Sequence, residues 1–181
     1  MILSDSELVE MLREPRTRRE GFAVLVKQYS EKLYWKVRRI VLSHEDANDV
    51  LQNVFIKVWS NLQNFQGKSS LSTWLYRIAI NESLDFLRKQ KQADKVSADE
   101  DVSVASRLMS DEYFDGDEVQ ARLQEAVARL PEVQRTVFNL KYFEEMKYSE
   151  MSQILNTSEG ALKASYHLAV KKITEYLHLF D

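Results

Sequence analysis

Apolar residues recur at spacings of three and four along most of this chain, and runs alternating apolar with polar are scarce. That periodicity predicts helices rather than strands. A first short helix is expected from a cap at Ser4 or Asp5 to about Arg13, where Pro15 ends it. A long helix follows from about Thr17 to Leu42. Its stripe is Phe22, Leu25, Val26, Tyr29, Leu33, Val37, Ile40 and Val41, with Lys32, Lys36, Arg38 and Arg39 expected outside it. Ser43 caps a third helix, with Glu45 and Asp46 in its first turn, that runs to about Asn61. Ala47, Val50, Leu51, Val54, Val58 and Leu62 form its buried face. The opposite face carries Asp49, Gln52, Ile56 and Trp59. An Ile and a Trp where polar residues belong suggest a protein partner. Burial of both faces, or cover from the N-terminal helix, would equally account for them.

The next stretch, Phe65 to Lys91, starts as a polar loop, Gln66 to Ser70, entered through an aromatic, and continues as a helix. On that helix Trp74, Arg77, Asn81 and Arg88 fall in one narrow stripe. Leu71, Leu75, Ile78 and Phe86 lie on the neighbouring, buried face. An aromatic, an amide and two guanidiniums in a row suit unstacked bases and a phosphate backbone. A solvated face beside a core Trp is the plainer reading.

Periodicity stops near Gln92 and resumes near Asp117. Between them the chain is acidic, Ser-rich and weakly patterned, which predicts a flexible linker with one short ordered piece near Val104 to Met109. The linker is either a passive tether or an acidic strand that imitates nucleic acid. A second helical unit then begins. Val119, Leu123, Ala126, Val127 and Leu130 mark one helix, and Pro131 is placed at the first position of the next. That helix carries Val133, Val137, Phe138 and Leu140 to near Glu145. Tyr148 to Leu155 is a short helix packing Met151, Ile154 and Leu155. Asn156-Thr157-Ser158 is a tight turn, and the last helix runs from Ser158 to about Leu177 over a stripe of Leu162, Tyr166, Ala169, Val170, Ile173 and Leu177. Its outer face shows Gly160, Ala164, His167 and Lys171, with Lys163 at the border. A short helix, a three-residue turn and a helix with small and basic residues outward describe a helix-turn-helix. An ordinary helical hairpin shares the outline.

The fold class expected is therefore all-α: two small helical domains, residues 1–93 and 118–181, joined by an acidic flexible linker at 94–117. Net charge is −3 over 181 residues, which argues against nucleic acid until its distribution is considered. Residues 94–118 hold nine acids and two bases, and the remainder of the chain is +4. There is no Cys, hence no disulfide and no thiolate metal site, which fits a reducing cytoplasm. His44, Glu45, Asp46 and Asp49 read as a helix start rather than a metal cluster. No Gly-rich phosphate loop and no nucleophile with a base appear, so neither enzyme chemistry, a cofactor nor a small-molecule substrate is expected. The N-terminus is no signal peptide, and no apolar run reaches membrane-spanning length, so a cytoplasmic protein without membrane insertion is expected.

Both halves resemble one family. Asp46-Ala47-Asn48-Asp49-Val50-Leu51-Gln52-Asn53-Val54-Phe55-Ile56-Lys57-Val58-Trp59 resembles the core-polymerase-binding helix of bacterial sigma factors. Phe65 with Ser72-Thr73-Trp74-Leu75-Tyr76-Arg77-Ile78-Ala79-Ile80-Asn81 resembles their −10 recognition loop and helix. Leu130-Pro131-Glu132-Val133-Gln134-Arg135 and Tyr148-Ser149-Glu150-Met151-Ser152-Gln153-Ile154-Leu155 resemble their −35-reading domain. Two such blocks alone, in this order, resemble the extracytoplasmic-function group of the sigma-70 family. The resemblance implies a transcription initiation factor that binds core RNA polymerase, recognises −35 and −10 promoter elements and promotes melting.

It also implies roles. Asp49, Gln52, Asn53, Ile56 and Trp59 would bind the clamp helices of the β′ subunit. Phe65, Lys68, Ser69 and Ser70 would hold a flipped −10 base, supported by Trp74, Arg77 and Asn81. Arg88, Lys89 and Lys91 would meet the backbone upstream. Thr157, Ser158, Glu159, Gly160, Lys163, Ser165, His167 and Lys171 would face duplex −35 DNA. The β subunit and an anti-sigma factor are further implied partners, and the linker would run through the RNA-exit region. The chain departs from the family pattern at Asn53, where members often have Glu, and along the last helix, where Gly160-Ala161-Leu162-Lys163-Ala164-Ser165 stands for the common Gly-Thr-Val-Lys-Ser-Arg and Leu168 for a further Arg.

Overall fold

The computed structural model describes residues 2–93, 114 and 116–180. Eight α-helices and no strand occur among them. The chain divides into two compact units, Met1–Lys95 and Val96–Asp181.

The first unit is built around one long helix. α1 (Asp5–Arg13) opens on a capping box, in which Ser4 Oγ accepts from the Glu7 amide and Glu7 accepts from the Ser4 amide. α2 (Arg18–Val41) packs against α1 and also against α3 (His44–Asn61) and α4 (Leu71–Ala93). Ser43 caps α3 by accepting from the Asp46 amide. A 3₁₀ turn, Leu62–Asn64, and the loop 65–70 join α3 to α4. Leu8, Leu25, Leu33, Val37, Val54, Val58, Leu71 and Leu75 fill the core, each contributing roughly 1.5–3 kcal/mol by leaving water. Because three helices cover α2, its buried arc is wider than one stripe. Arg38, expected outside, is only 3 % exposed, and Lys36 and Arg39 are half-buried. The Lys36 ammonium sits 3.9 Å from the centre of the Tyr76 ring on α4. All three tryptophans lie in this unit.

α4 is rotated from its expected phase. Ala79, Ile80, Ser83 and Leu87 join Leu71 and Leu75 in the core, while Ile78 and Phe86 are half-buried. The buried Ser83 hydroxyl is satisfied by donating to the Ala79 carbonyl at 2.7 Å.

In the second unit, α5 (Glu118–Ala128) starts on Asp117, whose carboxylate accepts from the Gln120 amide. α6 (Glu132–Phe138) begins one residue later than expected. Pro131 is extended and forms the cap rather than the first helical residue, its carbonyl taking the Arg135 amide at 2.9 Å. The helix passes into a π-turn at Asn139–Phe143 and stops where Glu145 turns left-handed (φ 50). α7 (Tyr148–Leu155) and α8 (Glu159–Leu177) follow, then a 3₁₀ turn, His178–Phe180. The core gathers Ala126, Val127, Leu130, Phe138, Ala169 and Ile173, with Leu123, Phe143 and Tyr166 packed against it. Val119 and Val170, expected to be buried, are 71 % and 38 % exposed. Ala121 is buried without having been expected to be, and Ala169 is buried as expected. The expected linker is described only at residues 114, 116 and 117, and its expected ordered piece at Val104 to Met109 lies outside the described residues.

Candidate functional site

The Ser43 cap and the Ala47–Val50–Val54–Val58 stripe fix the rotation of α3, and so fix what its other face shows. Asp49, Gln52 and Asn53 are exposed there. Ile56 is 63 % and Trp59 43 % exposed, so nothing among the described residues of the unit closes over this face. Trp59 is held by an edge-on contact with Phe22 of α2, ring centres 5.0 Å apart. Behind it, partial burial and the neighbouring Asp49 charge raise the Asp46 carboxyl above its ordinary range. The surface is therefore an anchored aromatic and a free aliphatic beside carboxylate and amide groups, the composition of a protein contact.

The loop 65–70 is shaped by its ends. Phe65 packs its ring on Trp74, centres 5.1 Å apart and planes 48° apart. Gly67 is left-handed (φ 70), a conformation that suits glycine. At the far end Ser70 Oγ accepts the Thr73 amide at 3.2 Å and donates to Thr73 Oγ1 at 2.8 Å, which starts α4. The Ser70 hydroxyl is thus occupied by the helix start. Lys68 is exposed and Ser69 half-buried. Along α4 the expected row is present: Trp74 lies at the buried edge, and Arg77, Asn81 and Arg88 lie in solvent with Lys89 and Lys91. Arg88 is paired with Asp85 at 2.9 Å. Lys57 and Glu82 form an ion pair that ties α3 to α4.

In the second unit α7, the turn and α8 form the bihelical element. Asn156 takes the left-handed conformation (φ 50, ψ 47) that Asn tolerates. The Thr157 hydroxyl donates to the Leu155 carbonyl at 3.1 Å, and Ser158 Oγ accepts the Ala161 amide at 3.3 Å. Leu162, Ala169 and Ile173 hold α8 to the core. That rotation leaves Glu159, Gly160, Lys163, Ala164, His167 and Lys171 exposed and Ser165 half-buried. A β-carbon added at Gly160 would meet nothing within 4 Å. The Lys163 ammonium lies 5.6 Å from the Tyr148 ring centre, and Lys171 is 4.0 Å from Glu175. The outer face carries small residues at Gly160 and Ala164 and lysines at its flanks, which fits a groove.

Residues 25–93 match the family described as Sigma-70 region 2, and residues 120–173 match Sigma-70, region 4. The chain is 32 % identical over 157 residues to the ECF RNA polymerase sigma factor SigW of Bacillus subtilis, covering 82 % of this chain and 84 % of that protein. It is 30 % identical over 182 residues to the RNA polymerase sigma-H factor of Pseudomonas aeruginosa, covering 96 % and 93 %. The chain belongs to the extracytoplasmic-function group of the sigma-70 family. As a sigma factor it serves promoter recognition and transcription initiation. The sigma factor's fold is shared with RpoE in complex with the anti-sigma factor NepR from Bartonella quintana (TM-score 0.69, 20 % identity, 88 % of this chain and 98 % of that one). It is also shared with CnrH in complex with the cytosolic domain of CnrY (TM-score 0.62, 20 % identity, 98 % and 96 %). The region 2 match spans most of α2 and all of α3 and α4, and leaves α1 outside it.

The sequence does not point to Asp5 as part of this surface. Its carboxylate reaches the start of α4, 67 residues away, where it accepts the Ser72 amide at 3.4 Å. No periodicity or motif links positions so far apart. No helix among the described residues is long and apolar enough to cross a membrane.

Proposed function

We propose that the first unit binds core RNA polymerase through Asp49, Gln52, Asn53, Ile56 and Trp59, and captures an unstacked −10 base at Phe65, Lys68, Ser69 and Ser70. Trp74, Arg77 and Asn81 support the melted strand, and Arg88, Lys89 and Lys91 meet its backbone. The second unit reads duplex −35 DNA with Thr157, Ser158, Glu159, Gly160, Lys163, Ser165, His167 and Lys171. The linker at 94–117 tethers the two. The observation that carries this reading is the row Trp74–Arg77–Asn81 emerging from an aromatic-gated loop, in the same unit as the uncovered Ile56–Trp59 face.

The roles follow from the chemistry. A flipped base loses stacking worth a few kcal/mol. A new aromatic contact returns roughly 1–3 kcal/mol per base, so one ring only balances that loss. Phe65 and Trp74 already contact each other, so a base must insert beside or between them rather than fill an open slot. The polymerase therefore supplies most of the grip, and the sigma factor, at net charge −3, adds selectivity. No covalent chemistry is involved, and the protein works in the cytoplasm, where the polymerase is. An anti-sigma factor is a further partner, by extension from the complex of RpoE with NepR.

Run-off transcription with purified core polymerase on genomic fragments tests the whole reading. Trp74→Ala or Asn81→Ala reduces promoter opening and leaves polymerase binding intact, whereas Gln52→Ala or Trp59→Ala weakens the polymerase complex. Tight promoter binding by the free protein at physiological salt would refute the division of labour.

A further inference from the structure

The loop 65–70 is bounded on one side by α1. At the start of α1, Asp5 is half-buried and joins three helices. Its Oδ1 accepts the Tyr29 hydroxyl of α2 at 2.5 Å, and its Oδ2 accepts the Ser72 amide in the first turn of α4 at 3.4 Å. The first amides of a helix lack intrahelical partners and carry partial positive charge, so a carboxylate there both satisfies and stabilises them. Ser70 takes the Thr73 amide and Asp5 takes the Ser72 amide, so two adjacent orphans are held from two different segments.

At the other end of α1, Arg13 Nη2 lies 3.6 Å from the point where a β-carbon on Gly67 would sit. The helix thus reaches the loop at one end and the first turn of the helix that follows it at the other. It is itself firmly seated. Leu8 is fully buried and Leu12 nearly so. Leu3 and Gln28 exchange two hydrogen bonds, the Leu3 amide donating at 3.1 Å and the Gln28 amide group donating back at 2.9 Å. Thr17 and Arg18 cap the end by donating to the Met11 and Leu12 carbonyls. Gly21 allows the approach, since a β-carbon there would stand 2.8 Å from Met11 Cβ.

We propose that α1, which lies outside the residues matching region 2, braces the base-capturing loop, and that Asp5 is a positioning residue for it. Resting on the −10 reading above, this assigns Asp5 no contact with DNA. It acts through the Ser72 amide in the first turn of α4, beside the Ser70 cap, and so through the facing of Phe65 and Trp74.

The test uses the full chain assembled with core polymerase. Asp5→Ala, Asp5→Asn and Trp74→Ala are compared for assembly with core, and for binding by the holoenzyme of a single-stranded oligonucleotide carrying the −10 element mapped by run-off transcription. Asp5→Ala is expected to weaken single-strand binding about tenfold, as loss of a hydrogen bond to a charged group does, with assembly changed less than about twofold. Asp5→Asn keeps the size and one acceptor, so it folds and falls between Asp5→Ala and the parent. Parallel loss of assembly and single-strand binding in Asp5→Asn would mean that Asp5 only stabilises the fold, and overturns the proposal. Single-strand binding unchanged in both Asp5 variants while Trp74→Ala loses it also overturns the proposal, with the −10 reading intact. If Trp74→Ala keeps single-strand binding, the −10 reading itself fails, and the brace with it.

Discussion

Ile56→Ala separates a docking surface from a folding surface more cleanly than any other change on α3. Ile56 is 63 % exposed, while Val54, two residues earlier on the same helix, is fully buried. That exposure leaves on the order of 100 Å² of apolar surface for a partner to cover, worth roughly 2.5 kcal/mol if covered completely. Truncation to Ala keeps about a third of it, so the expected loss is about 1.5 kcal/mol, or roughly tenfold in affinity for core polymerase. Little packing inside the unit is lost, and stability should stay within about 0.5 kcal/mol. Val54→Ala should do the reverse, costing about 2 kcal/mol of stability with no direct contact removed. Trp59→Ala mixes both effects, because its ring also packs on Phe22. The assay is competition of unlabelled variants against a fluorescent parent for core polymerase, with thermal unfolding followed in parallel. Ile56→Ala binding within twofold of the parent, while folded, would show that this face is not where the polymerase sits.

Three further outcomes are expected. Burial, with help from Arg39 and Lys32, pulls Lys36 from its ordinary 10.5 down to about 8, so the unfolded chain holds that proton more tightly than the folded one. The site's contribution to stability then rises as pH climbs from about 8 to about 10.5. Lys36→Met should stabilise by up to ~1 kcal/mol at pH 7, after discounting for residual solvent contact, and the advantage should shrink across that window. A difference that stays constant from pH 7 to 10 in denaturant titrations would contradict this. Ser158→Ala removes the cap of α8 and should cost about 1 kcal/mol, read as unfolding of the second unit with the first unaffected. Gly160→Leu projects into open space, so the fold should tolerate it, while binding of the holoenzyme to −35 duplex should fall at least about tenfold, a larger loss than a single phosphate contact.

Much of this was readable because the signals are local. Ser4, Ser43, Asp117 and Ser158 cap their helices using amides three residues on, and a cap of that kind lies within a few residues of sequence. The Ile56–Trp59 face was legible as apolar residues in the wrong phase. The misses share a different cause. Val119 and Val170 lie exposed although their stripes include them, while Ala121, Ala79 and Ile80 enter the core, because a stripe read from one helix does not show how far its neighbours cover it. Arg38 is buried because α2 is covered from three directions, which one helix's pattern does not reveal. The tie from Asp5 to Ser72 depends on tertiary folding alone.

The placement of the tryptophans makes the sigma factor its own spectroscopic reporter. Trp35 lies beside Tyr34 on α2, Trp59 on the proposed polymerase face and Trp74 against the loop, and the second unit has none. Indole emission excited beyond tyrosine absorption therefore follows the first unit alone. With Trp35 and Trp59 replaced by Phe, the remaining Trp74 signal would be quenched by a stacked base. Replacing Trp35 and Trp74 instead would leave Trp59 to report on its own face, so the two surfaces could be followed in separate variants without a dye.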